Sequence, residues 1–273
     1  MCAFHVLFHR RFMAKPKFRF ILCFDFDGTL VHHEGDYRFH PGLGDMLRML
    51  RQQGAAWVIN TGRSLSQTLA GLAQNGIYQE PDFIIAQEGE LYKPGIFRKW
   101  TDYGGWNRNG RRAHANFLRE HKKFLADIKH HVHTATKGEF MEGERGDVGI
   151  VAHSDEELDQ VCLLIDEHRS RFPELGYHRN GIYLRFAHSS YSKGTTLGEL
   201  ARLLELSPNE CFAAGDNHND LTMLDTRVAR MIACPGNALE PIKSHVRKQG
   251  GFIAEGTAST GMIEALQHFF AAR

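Results

Sequence analysis

The chain has 273 residues, 42% of them hydrophobic and 24% charged, with a formal net charge of +1. That balance suits one or two globular domains and excludes a strongly basic surface for nucleic acid or an acidic membrane. No apolar run approaches the ~20 residues that span a bilayer. The five cysteines (Cys2, Cys23, Cys162, Cys211, Cys234) lack CxxC spacing and read as reduced thiols of a cytoplasmic protein.

Residues 1–17 lack the basic-then-apolar order of a signal peptide, since Arg10 and Arg11 follow the apolar residues. They are expected to be an extension outside the core, with Met13 as an alternative start. The first strand, Phe20-Ile21-Leu22, runs into Cys23-Phe24-Asp25-Phe26-Asp27-Gly28-Thr29-Leu30. Its two carboxylates sit at i and i+2, on one face of an extended chain, where they repel unless something compensates them. After a polar segment, residues 32–39, Leu43, Met46, Leu47 and Leu50 mark an amphipathic helix between Pro41 and Gly54. A strand at 55–60 precedes Thr61-Gly62-Arg63. Ser64 with Gln67 then forms a capping box ahead of Leu65, Leu69 and Leu72. A third strand is expected at 82–86.

The middle changes character. Residues 100–109 are glycine- and aromatic-rich and read as a connection, followed by one long helix around 111–130 with Phe117, Leu118, Phe124, Leu125 and Ile128 on its apolar side. A strand at 147–153 leads to a second capping box, Ser154 with Glu157, and a helix carrying Leu158, Val161, Cys162 and Ile165. Asn180-Gly181 between Tyr177-His178-Arg179 and Ile182-Tyr183-Leu184 predicts a hairpin. The βα rhythm resumes at Lys193-Gly194, with strands at 211–214 and 231–234 and a closing helix at 262–270. The predicted fold is α/β, a doubly wound parallel-sheet (Rossmann-like) core at 18–104 and 188–273, interrupted by an α+β cap domain at 105–187.

Parallel sheets bind ligands at the carboxyl ends of their strands, where Asp25, Asp27 and Thr61 fall. Gly215-Asp216-Asn217-His218-Asn219-Asp220, after another apolar strand, offers acid and amide oxygens suited to a hard cation. In order, DFDGT (Asp25 to Thr29), the threonine of INTGR (Thr61), the lysine of SKG (Lys193) and GDNHND resemble the four motifs of the haloacid dehalogenase superfamily of aspartyl phosphatases. The TGR, the SKGTTL and the interval between them are similar to subfamily IIB, the Cof-type and sucrose-phosphate phosphatase-like branch with a C2-type cap. The resemblance covers about residues 18–90 and 190–260.

It implies a phosphoric monoester hydrolase that takes a small phosphorylated metabolite, with a sugar phosphate as the expected class. Asp25 would attack phosphorus to form an aspartyl-phosphate, and Asp27 would serve as acid and then base. A carboxylate nearing a phosphate dianion needs a cation, implying Mg²⁺. The metal set implied is Asp25, Asp27 through its main-chain oxygen, Asp216 and Asp220, the last orienting either the metal site or Lys193. Thr61, Gly62, Arg63, Lys193 and Asn219 are the expected phosphate and substrate contacts. Arg63 either faces the substrate or braces the crevice. A phosphomutase is the alternative within the superfamily, and a non-catalytic phosphate-binding module lies outside it; a nucleotide-sugar transferase leaves Thr61, Lys193 and GDNHND without a role. The expected partners are a small molecule and at most further copies of this chain, monomer or small homo-oligomer. The His130, His131 and His133 cluster and the Arg108, Arg111 and Arg112 group read as solvated faces, and Glu88-Gly89-Glu90 reads as an ordinary turn.

Overall fold

A run of five buried residues, Phe20–Phe24, forms β1 near the middle of an eight-stranded sheet in this computed structural model, which describes residues 17–32, 38–143 and 148–271. The expectations for residues 1–16, Cys2 included, and for most of the polar segment lie outside the described residues. From β1 the chain runs through α1 (Pro41–Gln52), β2 (Ala55–Asn60), α2 (Leu65–Gln74) and β3 (Phe83–Ala86), then a hairpin of β4 (Glu90–Pro94) and β5 (Trp100–Asp102). Next come α3 (Trp106–Glu120), α4 (Lys122–Ala135), β6 (Glu139–Glu142), β7 (Val148–Val151), α5 (Asp155–Arg169), β8 (Leu175–Asn180) and β9 (Tyr183–His188). The chain closes with α6 (Lys193–Leu203), β10 (Cys211–Ala214), β11 (Met231–Cys234), α7 (Glu240–Lys248), β12 (Phe252–Ile253) and α8 (Ala258–Phe270).

The large sheet has the order β12-β11-β10-β1-β2-β3-β4-β5, parallel from β12 to β3 and antiparallel at β4 and β5. Side chains alternate between its two covered faces. Phe20, Leu22 and Phe24 pack with α1 and α8, while Ile21 and Cys23 pack with Leu197 and Leu200 of α6 and Ile242 of α7. The chain leaves β1 toward β2 on one side and returns as β10 on the other, with Phe24 registered against both Ile59 and Ala214. That switch point opens a crevice at the carboxyl ends of these strands. Residues 25, 61 and 215–220 follow directly from them.

A second sheet, β6-β7-β9-β8, is antiparallel. Its outer face, including Ile150, Leu184 and Phe186, packs with Leu125, Val132, Leu158 and Ile165 of α4 and α5. Four local expectations need correction. The long helix is two helices that part at His121, whose buried ring packs at a tilt against Phe117 and lies 3.2 Å from Glu174. The 100–109 segment is not a plain connection, because Trp100 pairs with Pro94 in β5 and Trp106 opens α3. The hairpin turn is Gly181-Ile182, since Asn180 still pairs with Tyr183; Gly181 supplies the positive φ of 54° that a two-residue turn requires. The Ser154 cap forms, but Glu157 bonds the His153 and Lys137 amides instead of Ser154.

Two glycines of α6 make a matched test of this packing. A Cβ on Gly194 would lie 1.9 Å from the Thr222 carbonyl oxygen, whereas one on Gly198 meets nothing within 4 Å. Gly194→Ala is expected to lower unfolding free energy by about 1–3 kcal/mol or more. Gly198→Ala should raise it by about 0.5–1 kcal/mol in the same urea titration.

Candidate active site

The charges in the crevice are organised by Lys193. Ser192 caps α6 by accepting from the Thr195 amide, and Asn60 at the end of β2 donates to the Lys193 carbonyl at 3.1 Å, so the lysine stem is fixed from two sides. Its ammonium donates to Asp25 Oδ1 and to Asp220 Oδ1, each at 2.6 Å, with Lys193 and Asp220 fully buried. Burial disfavours the ammonium, but Asp220 and Asp25 outweigh it and hold Lys193 protonated. Asp220 spends its other oxygen on the Asp216 and Asn217 amides, both at 2.9 Å. It is the brace of its own loop.

Asp25 follows β1 and donates its amide to the Ala214 carbonyl, which ties the first motif to the strand before the last. Burial pushes its carboxyl well above the ordinary range, Lys193 pulls it back, and Asp220 and Asp216 push it further up. Asp216 accepts from the Thr29 hydroxyl at 2.9 Å; burial first, then the Asp220 charge, raise its carboxyl to about 7. Gly28 lets these groups approach: it sits at φ 79°, and a Cβ there would lie 2.4 Å from Asp216 Oδ2. Asp25, Asp216 and Asp220 each offer an oxygen within 4.8 Å of the others. This all-oxygen set fits a hard divalent cation. Since Asp220 already uses both oxygens, Asp25 and Asp216 are the pair with capacity to hold it.

Asp27 faces Arg63. The guanidinium donates from Nε and an Nη to both carboxylate oxygens at 2.6 Å and lies over the Phe26 ring, 5.0 Å from its centroid. Such a two-point clamp fixes direction as well as charge. Arg63 thus ties Asp27 to the start of α2 while also lining the cavity. Thr61 is buried; its hydroxyl accepts from the Arg63 amide at 3.2 Å and keeps its own hydrogen for an acceptor in the cavity. Gly62 lines the same wall, and Asn219 donates to Glu88 Oε1 at 3.0 Å.

Glu88 is not an ordinary turn residue. It is 5% exposed, with φ 63° after Gln87 at φ 47°, and this left-handed pair turns the chain back under the crevice. Its Oε2 lies 2.6 Å from His178 Nδ1 of β8. Burial would raise its carboxyl, but His178, with Lys193 and Arg185 farther off, outweighs burial and brings it down to about 2. Arg185 of β9 donates to the Gln87 carbonyl at 2.6 Å, and Asn217 donates to Asn180 of β8 at 3.0 Å. A cavity of about 920 Å³ lies between the two sheets, floored by Asp25, Thr61 and Asp216 and roofed by Gly149, Tyr183 and Arg185.

Sequence reading missed Asn60, Glu88, His178 and Arg185. A signal was present: His178 and Asn180 alternate on β8 and pair with Arg185 and Tyr183 on β9, so all four share one face of the second sheet. The histidine cluster of α4 stays out of the site, with His130 and His133 exposed. Arg111 reaches Asp102 at 3.0 Å and Glu90 at 3.5 Å, so it links α3 to the edge hairpin. Cys23, Cys162, Cys211 and Cys234 are buried and unpaired with one another, and no helix among the described residues is long and apolar enough to cross a membrane.

Comparison with known proteins falls on both parts of the chain. A family model for haloacid dehalogenase-like hydrolases matches residues 107–260, and one for sucrose-6F-phosphate phosphohydrolases matches residues 18–101. A phosphoglycolate phosphatase of Methanoculleus marisnigri is 31% identical over 90 residues, 33% of this chain and 36% of that protein, so the match spans about a third of the curated relative. The sucrose-phosphatase of Synechocystis sp. PCC6803, solved with sucrose and phosphate, superposes with a TM-score of 0.71 at 19% identity, covering 92% of this chain and 98% of the other. A sugar phosphatase of haloacid dehalogenase subclass IIB superposes at 0.61 and 16% identity, covering 92% and 99%. At such identities the solved structures speak for the fold.

Proposed function

The chain belongs to the haloacid dehalogenase-like hydrolase family, and on that premise we propose that it is a Mg²⁺-dependent phosphatase of small sugar phosphates. The observation that carries this reading is Asp25 at the floor of the cavity, one oxygen gripped by Lys193 and the other left to act. In the first step the Asp25 oxygen forms a bond to phosphorus as the bond from phosphorus to the sugar oxygen breaks. Asp27, in its protonated form, gives its proton to that leaving oxygen. In the second step water attacks phosphorus, Asp27 takes the proton, and the bond from Asp25 to phosphorus breaks to release phosphate. The Arg63 clamp holds the Asp27 carboxyl in place beside the reacting groups.

The crevice holds Asp25, Asp27, Asp216 and Asp220 against Lys193 and Arg63, a balance that repels a phosphate dianion. Asp25 and Asp216 would hold a divalent cation, which would supply the missing positive charge. Thr61 donates its hydroxyl hydrogen to a phosphoryl oxygen, and Lys193 neutralises charge beside the attacking group. Residues 105–187 act as the cap that roofs the cavity and limits substrate size. The sugar class is supported by the sucrose-phosphatase and sugar-phosphatase neighbours and by a cavity large enough for a sugar.

Purified protein with Mg²⁺ should release inorganic phosphate from a panel of hexose and disaccharide phosphates. Asp25→Asn should lower turnover by at least about 10⁴-fold, and Asp27→Asn by about 10²–10⁴-fold. An isomerised sugar phosphate in place of free phosphate would overturn the hydrolase reading.

Metal binding has its own pH signature. With its carboxyl raised to about 7, Asp216 is protonated below that pH and a cation must displace the proton; above it the carboxylate is ready. The rise in thermal midpoint caused by Mg²⁺ should therefore be small below about pH 7 and grow as pH passes through it. Asp216→Asn should abolish the rise, and a pH-independent rise would contradict this assignment.

A further inference from the structure

Two arginines line the cavity, and they are engaged differently. Arg63 gives both arms of its fork to Asp27. Arg185 of β9 donates one Nη to the neutral Gln87 carbonyl at 2.6 Å, and among the described residues no carboxylate lies within ion-pair distance of it. Glu88 feels its charge, but the Glu88 oxygens are already engaged, one by the Asn219 amide at 3.0 Å and the other against the His178 ring at 2.6 Å. Arg179 of β8 makes the contrast. It pairs in register with Leu184, one residue out of phase with Arg185, so it points to the opposite face, where Asp155 and Asp159 of α5 hold it.

The flank of Arg185 is also open. Its partner in register on β7 is Gly149, which has no side chain to cover the guanidinium, and a Cβ there would lie 2.6 Å from the Leu184 carbonyl oxygen. The other acids of the lining have their own cations. Asp27 has Arg63, Glu142 has Lys129 at 3.2 Å, and Asp25 and Asp216 are the pair that would hold the divalent ion. A guanidinium with open donors on a cavity wall is matched best by a planar anion. Two N–H groups then meet two oxygens, and the charged acceptor makes each bond about twice as strong as a neutral one.

We propose that Arg185 is a specificity-determining residue that receives a carboxylate on the body of the substrate, so that the cavity selects the phosphate ester of a sugar acid over that of a neutral polyol. The phosphoryl group meets Asp25 and Thr61 at the floor, and the carboxylate meets Arg185 at the roof. For turnover this inference rests on the phosphatase reading and deepens it; the recognition by Arg185 does not depend on turnover.

The test uses 6-phosphogluconate and sorbitol 6-phosphate, which differ only in a carboxylate where the other has a hydroxymethyl group. With Mg²⁺, wild type should show a kcat/KM at least about tenfold higher for 6-phosphogluconate, the value of one charge-assisted contact. Arg185→Gln should cut that ratio about ten- to hundredfold by raising KM for the acid ester, with sorbitol 6-phosphate nearly unchanged. Arg185→Lys, which keeps the charge without the fork, should fall between, and it serves where the first variant fails to fold. A wild-type ratio near one would overturn the proposal. So would an equal fall on both esters in the variants, the result of a merely structural tie to Gln87. Should wild type release phosphate from neither ester, the phosphatase reading fails and calorimetry with the same two compounds decides the rest. Wild type should then bind 6-phosphogluconate more tightly than sorbitol 6-phosphate, and Arg185→Gln should not. Equal or absent binding would overturn the role of Arg185.

Discussion

The paired contacts of Lys193 with Asp25 and Asp220 are the interaction on which the rest of this site depends. Carboxylates crowded at the ends of parallel strands repel one another, and burial adds a further cost for each. One buried ammonium at 2.6 Å from both offsets that cost only because its stem is held in place. The Ser192 cap, the Asn60 contact and the close approach of Gly194 to Thr222 all serve that placement. Removing one partner of such a set is far more damaging than never having built it, because an unpaired charge remains in the interior.

The two sheets divide the work. The parallel sheet brings four loops to one point, so its contribution is charge and geometry around a phosphoryl group. The antiparallel sheet contributes a wall whose side chains alternate, with His178, Asn180, Tyr183 and Arg185 toward the cavity and Leu184 and Phe186 among the residues packed beneath α4 and α5. Gln87 and Glu88 join the two, since one left-handed turn after β3 receives both Arg185 and His178.

The core was largely legible because a buried parallel strand leaves a strong signature. Five apolar residues followed at once by Asp25, or four followed by Gly215 and Asp216, can hardly be anything but a strand running into a crevice. The roof was less legible for a physical reason. Period-two alternation on β8 and β9 separates two sets of residues, but only the packing of α4 and α5 decides which set faces the cavity. Glu88 was hidden by its neighbours: a Gln-Glu-Gly run after a strand has the composition of a turn, and nothing local shows that His178 waits 2.6 Å away. The helix break at His121 was missed because the apolar spacing continues through it; the buried ring at the break contacts Phe117 and Glu174, partners that local sequence does not show.

The most direct test of the account is the stability coupling between Lys193 and Asp220, measured by urea unfolding in the presence of a chelator. Lys193→Met should lower unfolding free energy by about 3–5 kcal/mol. Adding Asp220→Asn should recover part of that loss, with a coupling of about 0.5–3 kcal/mol, because one of the stranded carboxylates is then gone. A loss below about 1 kcal/mol, within the range of a surface ion pair, or strict additivity of the two substitutions, would contradict the claim that this lysine makes the acidic cluster tolerable.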